Sequence, residues 1–222
     1  MIYKSVAIDG PSGAGKSTIS RIVAERLGFI YIDTGALYRV IGLRYVETGS
    51  MGLDTLKLSL SFVGGEQRMF DGKRDVTEKI RRHEVSKAAS DCSALPEVRA
   101  FLLGLQRELA EKNHVIMDGR DIGTVVLPNA DLKIFLTASP ECRAQRRFEE
   151  LQHRAEAGGP PSPSYEQVLQ DLVTRDHNDS TREEAPLRQA PDAVLLDTTG
   201  NALEESITSV ENLIRERLHD VL

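Results

Sequence analysis

The chain has only two cysteines, Cys92 and Cys142, far apart and with no CxxC pair or matched histidine, so neither a disulfide framework nor a zinc site is expected. Its five histidines are scattered outside any metal-ligand spacing, and no His-centred catalytic constellation can be assembled from them. No stretch approaches the roughly 18 consecutive apolar residues of a membrane span. The N-terminal segment, with a single Lys before a short apolar run, lacks the pattern of a secretory signal, and a cytoplasmic location is expected. An excess of positive charge is also missing. The net charge is −6, which argues against a nucleic-acid partner or a membrane surface, because both rely on a broad cationic footprint. Within that acidic total, however, arginines outnumber lysines 20 to 8. Guanidinium groups grip compact anions such as phosphate with two parallel hydrogen bonds, so the placement of those arginines becomes the question.

Sufficient apolar content is present. At 40% hydrophobic residues the chain can bury a core, as one large domain or one domain carrying insertions. Directly after the apolar run Val6-Ala7-Ile8 comes Gly10-Pro11-Ser12-Gly13-Ala14-Gly15-Lys16-Ser17-Thr18, which fits the GxxxxGK[ST] phosphate loop. Glycines without Cβ let consecutive backbone N–H groups converge on phosphate oxygens, and Lys16 adds a point charge. The following helix points its positive end at the anion, and Ser17 offers a hydroxyl to Mg²⁺. The loop predicts an ATP or GTP site.

Apolar runs at 2–8, 29–32, 115–117, 132–136 and 194–196 read as buried strands, separated by segments of helical periodicity. Gly28 and Gly49 supply helix stops, Asp33 or Thr34 can cap a helix, Pro96 suits a first helical turn and Ser139-Pro140 opens another helix. Ser164 to Gln167 reads as a capping box and Asn201 to Glu204 as the cap of a last helix. Between residues 56 and 76 the period changes to two, with Leu56, Leu58, Leu60 and Phe62 alternating with polar residues and a hairpin signal at Asp71-Gly72. Gly158 to Pro163 is a breaker cluster and must be an exposed loop. The expected fold is α/β: a five-stranded parallel sheet with helices on both faces, a small antiparallel β insert, and a ligand at the carboxyl ends of the strands.

Three more clusters are centred on arginine: Asp33 to Arg39 (DTGALYR), Asp118 to Thr124 (DGRDIGT) and Arg175 to Arg182 (RDHNDSTR). In order, IDGPSGAGKST, DTGALYR, DGRDIGTVV, RAQRR and RDHNDSTREEAPL resemble the bacterial cytidylate kinases, the (d)CMP kinases among the nucleoside monophosphate kinases, over nearly the entire length. That resemblance implies a P-loop kinase core at 1–50 and 91–222. It also implies an inserted nucleoside-monophosphate-binding domain at 51–90, partly helical, and a mobile helical lid at 143–178. It implies Mg²⁺-dependent transfer of the γ-phosphoryl of ATP to CMP or dCMP.

The roles implied for individual residues follow the same motifs. Arg39, Arg120 and Arg182 are acceptor-phosphate contacts with Thr34 and Tyr38 beside them, and Asp121 orients the arginine. Ser90 and Arg99 are implied to read the cytosine edge, and Arg175 and Asp179 to touch pyrimidine or sugar. Arg143, Arg146 and Arg147, at helical spacings of three and four, belong to the lid over the donor phosphates, or else form a solvated basic face. Asp118 reads as a Mg²⁺-facing acid, a cap or a salt-bridge partner. A GTPase is disfavoured because no Asn-Lys-x-Asp guanine reader is present and the only DxxG string, Asp197 to Gly200, follows the last strand. A kinase for another small acceptor and a non-catalytic ATP-binding module remain as alternatives. A monomer is expected, since no helix shows a second apolar face.

Overall fold

A computed structural model describes residues 3–219. The main sheet consists of β1 (Ser5–Asp9), β2 (Ile30–Asp33), β6 (Val115–Gly119), β7 (Leu132–Thr137) and β8 (Val194–Asp197), in the order β2-β6-β1-β7-β8 and parallel throughout. Val6, Ala7 and Ile8 of the central strand are fully buried, as a strand covered on both faces must be. On one face lie α1 (Lys16–Leu27) and α7 (Leu203–Arg217), which place Ile19, Val23, Ile207, Val210 and Ile214 against Val6, Ile8 and Ile134. The other face carries α2 (Thr34–Thr48) and α4 (Pro96–Lys112), and α3 (His83–Cys92) packs on α2, with Leu37, Ile41, Val85 and Leu102 in the core the three helices share. Each such side chain, once buried, stabilises the fold by about 1.5–3 kcal/mol.

Local signals set the boundaries. α1 and α2 stop at Gly28 and Gly49, both in the left-handed region with their N–H groups closing the last turn onto Ala24 and Tyr45 carbonyls. Asp33 caps α2 by accepting from the Ala36 N–H at 3.0 Å. Ser139 caps α5 (Pro140–Glu156), and Ser164 with Gln167 forms a full capping box at the start of α6 (Tyr165–Thr181). The expected cap at Asn201 is one residue early: Ala202 is the N-cap of α7, and its N–H donates to the Glu205 carboxylate at 2.9 Å.

The period-two segment forms a second sheet, β3 (Leu58–Val63), β4 (Glu66–Asp71) and β5 (Arg74–Asp75), antiparallel and in sequence order. Gly64-Gly65, both at positive φ, make the tight turn between β3 and β4, and Gly72 makes the next. Leu58 and Leu60 pack onto the cluster shared by α2, α3 and α4, so the insert has no separate core. Its Gln67 side chain reaches the edge strand of the main sheet. Gln67 Oε1 accepts from the Asp33 N–H at 2.9 Å and Nε2 donates to the Asp33 carbonyl at 3.2 Å, so the amide pairs like one rung of an added strand.

α5 and α6 form a hairpin around Ala144, Phe148, Val168 and Leu172, with Phe148 and Tyr165 meeting edge to face. The loop at 158–163 joins them, exposed at 158–161 and half-buried at Ser162 and Pro163. Beyond β6 the chain makes a π-helical turn, Ile122–Val126, which the apolar pattern did not foretell.

Candidate active site

Four of the five parallel strands end in or next to an aspartate: Asp9, Asp33, Asp118 and Asp197. Three of these organise the crevice. Asp9 accepts from the backbone N–H groups of Ile122 and Gly123, both at 2.7 Å, and so fixes the π-helical turn against the glycine loop. Burial pushes its pKa up to about 6 against the pull of those two donors. Asp118 accepts from the Tyr31 hydroxyl at 2.9 Å, and burial followed by the neighbouring Asp33 raises it to about 6 as well. The Thr34 hydroxyl donates to the Asp118 backbone carbonyl at 2.7 Å.

The glycine loop leaves β1 through Gly10 and crosses Gly13 and Gly15 at φ of 75° and 86°. Gly15 is the N-cap of α1 and brings no side chain to its first turn, which leaves the N–H groups there for an anion. Lys16 is buried and donates to the Pro11 carbonyl at 2.7 Å. Burial, and then the charge of Arg120, pull its pKa down to about 7. Ser17 and Thr18 remain open on a cleft of about 200 Å³ that they share with Tyr31, Asp33 and Arg81.

Across the crevice stands a buried ladder of alternating charge. Arg120 Nε meets Asp179 at 2.8 Å; Arg182 lies 3.9 Å from Asp179 and 3.6 Å from Asp121; Arg99 closes the chain on Asp121. Arg99 also lies over the Tyr38 ring, 5.7 Å from its centre. Although burial works against ionisation of Asp179, Arg120 and Arg175 hold its carboxyl below the usual range. Asp121 is pushed upward by burial despite its arginines. Arg39 pairs with Asp33 at 2.6 Å.

Two guanidinium groups in this region have buried Nε atoms without a hydrogen-bond partner, those of Arg39 and Arg175. Burial, and then Arg120, pull Arg175 down to about 10. Such orphaned donors, next to a lysine that burial drives toward neutrality, describe a site whose counter-charge comes from an anionic ligand. Ser90, Asp179 and Arg182 line an adjoining cavity of about 370 Å³.

The chain matches the family model described as cytidylate kinase over residues 6–216. It belongs to the cytidylate kinase family. It is 49% identical over 218 residues to the cytidylate kinase of Caldicellulosiruptor bescii, with 94% of each chain covered. To that of Exiguobacterium sp. it is 49% identical over 220 residues, covering 95% of this chain and 96% of the relative. Among solved structures it is similar in fold to the shikimate kinase of Bacteroides thetaiotaomicron, with TM-score 0.51 and 14% identity over 97% of this chain and 98% of that one. A sugar kinase from Janibacter sp. has TM-score 0.51 and 16% identity, covering 99% and 98%. These two likenesses speak for the fold alone.

Set against the cytidylate kinase motifs, the residues expected on the acceptor side, namely Tyr38, Ser90, Arg99, Arg120, Asp121, Asp179 and Arg182, fall in or beside the ladder and its cavity. Arg39 and Arg175 supply the orphaned donors near it. The three arginines expected to serve a lid go separate ways. Arg143 is 3% exposed and bonds to the Ser12 and Ala138 carbonyls and to Asp176. Arg146 donates to the Thr198 and Asn201 carbonyls, in the turn after β8. Arg147 pairs with Glu150 at the surface. Helical spacing places three Cα atoms on one side of α5, but long side chains choose their own partners.

Four residues that shape this centre were not singled out from the sequence: Asp9, Tyr31, Gln67 and Asp176. The recurrence of aspartate after successive apolar strands was the available signal for the first. Asp176 lay within the RDHNDSTR cluster, but nothing there pointed to its distant partners, the Ser12 N–H and Arg143; Gln67 had no signal, since it pairs with main-chain groups of Asp33.

Proposed function

We propose that the chain transfers the γ-phosphoryl group of ATP to CMP or dCMP, giving CDP or dCDP and ADP. The observation that carries this reading is a glycine cradle facing, across one crevice, a buried arginine ladder next to two guanidinium groups with unpartnered donors. One of these features suits each of two polyanionic substrates.

An acceptor phosphate is already anionic at neutral pH, so its oxygen can attack the γ-phosphorus without a general base. A bond forms from that oxygen to the γ-phosphorus. The bond from the γ-phosphorus to the β,γ-bridging oxygen breaks, and ADP keeps the electron pair. What remains is to hold two mutually repelling groups in line, which is a matter of positioning and charge. Residues 10–18 cradle the donor, with the Lys16 charge on its phosphates. Arg39, Arg120 and Arg182 take the acceptor phosphate beside Thr34 and Tyr38, with Asp121 orienting Arg182. Ser90 and Arg99 face the base, and Arg175 and Asp179 the sugar or pyrimidine. Arg146 and Arg147 are the lid charges that turn to the donor when the 143–178 segment closes, Arg146 giving up the Thr198 and Asn201 carbonyls and Arg147 giving up Glu150, while residues 51–90 form the acceptor unit.

Among the described residues no three acidic, histidine or cysteine side chains converge on a metal position. The Ser17 hydroxyl, exposed on its cleft, fits a Mg²⁺ held chiefly by phosphate oxygens, which neutralises phosphate charge when bound. Each site is assembled from one chain, which suits a monomer, and the net charge of −6 suits a cytoplasmic enzyme of small nucleotides.

A coupled assay of ADP release across CMP, dCMP, UMP, AMP and GMP tests the proposal. CMP and dCMP should be the preferred acceptors, and higher kcat/KM for a purine monophosphate would overturn it. The insert should matter through Gln67. Gln67→Ala leaves the Asp33 main-chain groups without that partner and loosens the carboxylate that holds Arg39. A loss of about 1–2 kcal/mol, read as a roughly 5- to 30-fold higher KM for CMP with kcat changed less, is expected. Equal KM values for the two proteins would show that the insert acts independently of Arg39.

A further inference from the structure

Ser12, in the middle of the glycine loop, has both of its main-chain groups claimed by the α5–α6 hairpin. Its N–H donates to Asp176 Oδ1 at 3.2 Å, and its carbonyl accepts from Arg143 Nη1 at 2.8 Å. Arg143 Nη1 also meets Asp176 Oδ2 at 2.6 Å, which closes a triangle of one loop residue, one α5 residue and one α6 residue. Arg143 Nε is tied to the Ala138 carbonyl at 2.9 Å, so the guanidinium is anchored at the end of β7. The next loop residue adds a steric clasp. A Cβ on Gly13 would lie 3.3 Å from the Arg143 Cβ and 3.6 Å from Leu172 Cδ2, so the loop runs hard against both helices.

α6 then connects this triangle to the other half of the site. Arg175 is the next residue toward the N-terminus of the same helix, and Asp179, which holds Arg120 Nε at 2.8 Å, lies less than one turn further on. A buried ion pair adds little net stability by itself, because desolvation offsets its attraction. What the pair does fix is direction: a displacement of Ser12 on loading the loop must displace Asp176, and a rigid helix turn carries that to Arg175 and Asp179.

We infer that Asp176, braced by Arg143, is a positioning residue that couples occupancy of the glycine loop to the acceptor-side charges on α6. The inference rests on the functional reading above. It gives Arg143 a bracing role in place of direct contact with donor phosphates.

The test compares wild type with Asp176→Ala and Asp176→Asn. Affinity for CMP is measured with and without a saturating non-hydrolysable ATP analogue. In the wild type the analogue should tighten CMP binding by about 5-fold or more. Asp176→Ala should bring that factor to within about twofold of one while CMP affinity alone shifts less than about threefold. Asp176→Asn, which keeps an oxygen for the Ser12 N–H but loses the charge facing Arg143, should fall between. In nucleotide-free protein, hydrogen exchange at the Ser12 amide should speed up by about tenfold or more in Asp176→Ala.

A factor near one in the wild type, an unchanged factor in Asp176→Ala, or equal losses with and without the analogue would each overturn the coupling. Unchanged Ser12 exchange would do so too. Should the alanine variant not fold, Arg143→Lys removes the two-sided brace and is read in the same way. Failure of the wild type to form CDP would instead defeat the functional reading, whereas Ser12 exchange reports on the brace alone.

Discussion

Arg120→Ala is expected to lower CDP formation by about 10³-fold or more, roughly 4 kcal/mol of transition-state stabilisation, while affinity for an ATP analogue stays within about threefold. The expectation comes from how this guanidinium is held. Its Nε is committed to the buried Asp179, and Nη1 makes only a long contact of 3.3 Å to the Gly119 carbonyl, so its outer face stays available to a ligand. It is close enough to the glycine loop for its charge to be the second cause of the lowered pKa of Lys16. A cation placed between donor cradle and acceptor ladder is where charge builds up during phosphoryl transfer.

Removing it also leaves Asp179 with weaker partners, Arg182 at 3.9 Å being the nearest ion pair. Arg120→Lys separates the two effects. The lysine keeps a charge near Asp179 but loses the planar fork, so it should restore thermal stability more than turnover. Turnover of Arg120→Ala within tenfold of wild type would remove Arg120 from the reaction and leave it as a structural partner of Asp179.

Much of this centre was legible because its residues are contiguous and their roles are backbone roles. The glycine loop is one string, and the three fully buried residues before it, Val6 to Ile8, announce a strand covered on both faces. The period-two run at 56–62 announced the second sheet for the same reason: packing on one side only leaves an alternating trace. What stayed hidden depends on side-chain reach across the fold. The spacing of Arg143, Arg146 and Arg147 suggested one shared surface, but α5 is wedged between the glycine loop, the turn after β8 and solvent, and each arginine found a carbonyl or carboxylate in a different one. The π-helical turn at 122–126 was equally silent. Its shape is imposed by Asp9, more than a hundred residues earlier, which captures two of its N–H groups.

Gly10→Ala is expected to be the most damaging small substitution in the chain, costing about 3–5 kcal/mol or abolishing folding, against about 1 kcal/mol for Gly28→Ala. Both glycines have positive φ, 151° and 73°, so both variants carry backbone strain. They differ in what surrounds them. A Cβ at position 28 meets nothing within 4 Å, whereas at position 10 it would lie 1.9 Å from the Leu136 carbonyl oxygen and 3.0 Å from the carbon behind it. That oxygen belongs to β7, the neighbour of β1, so the collision cannot be relieved by rotating a side chain. Relief requires the ends of two central strands to part, just where the glycine loop departs. For a domain of this size about 4 kcal/mol corresponds to a fall in Tm of roughly 8–16 °C. Melting both variants with and without an ATP analogue checks the argument. Gly28→Ala should retain the full ligand-induced rise in Tm, and Gly10→Ala, if it folds, should lose most of it, because the first residue of the cradle has moved. Similar melting temperatures for the two variants would mean that the strand ends yield freely, and that close approach to Leu136 is not what demands glycine here.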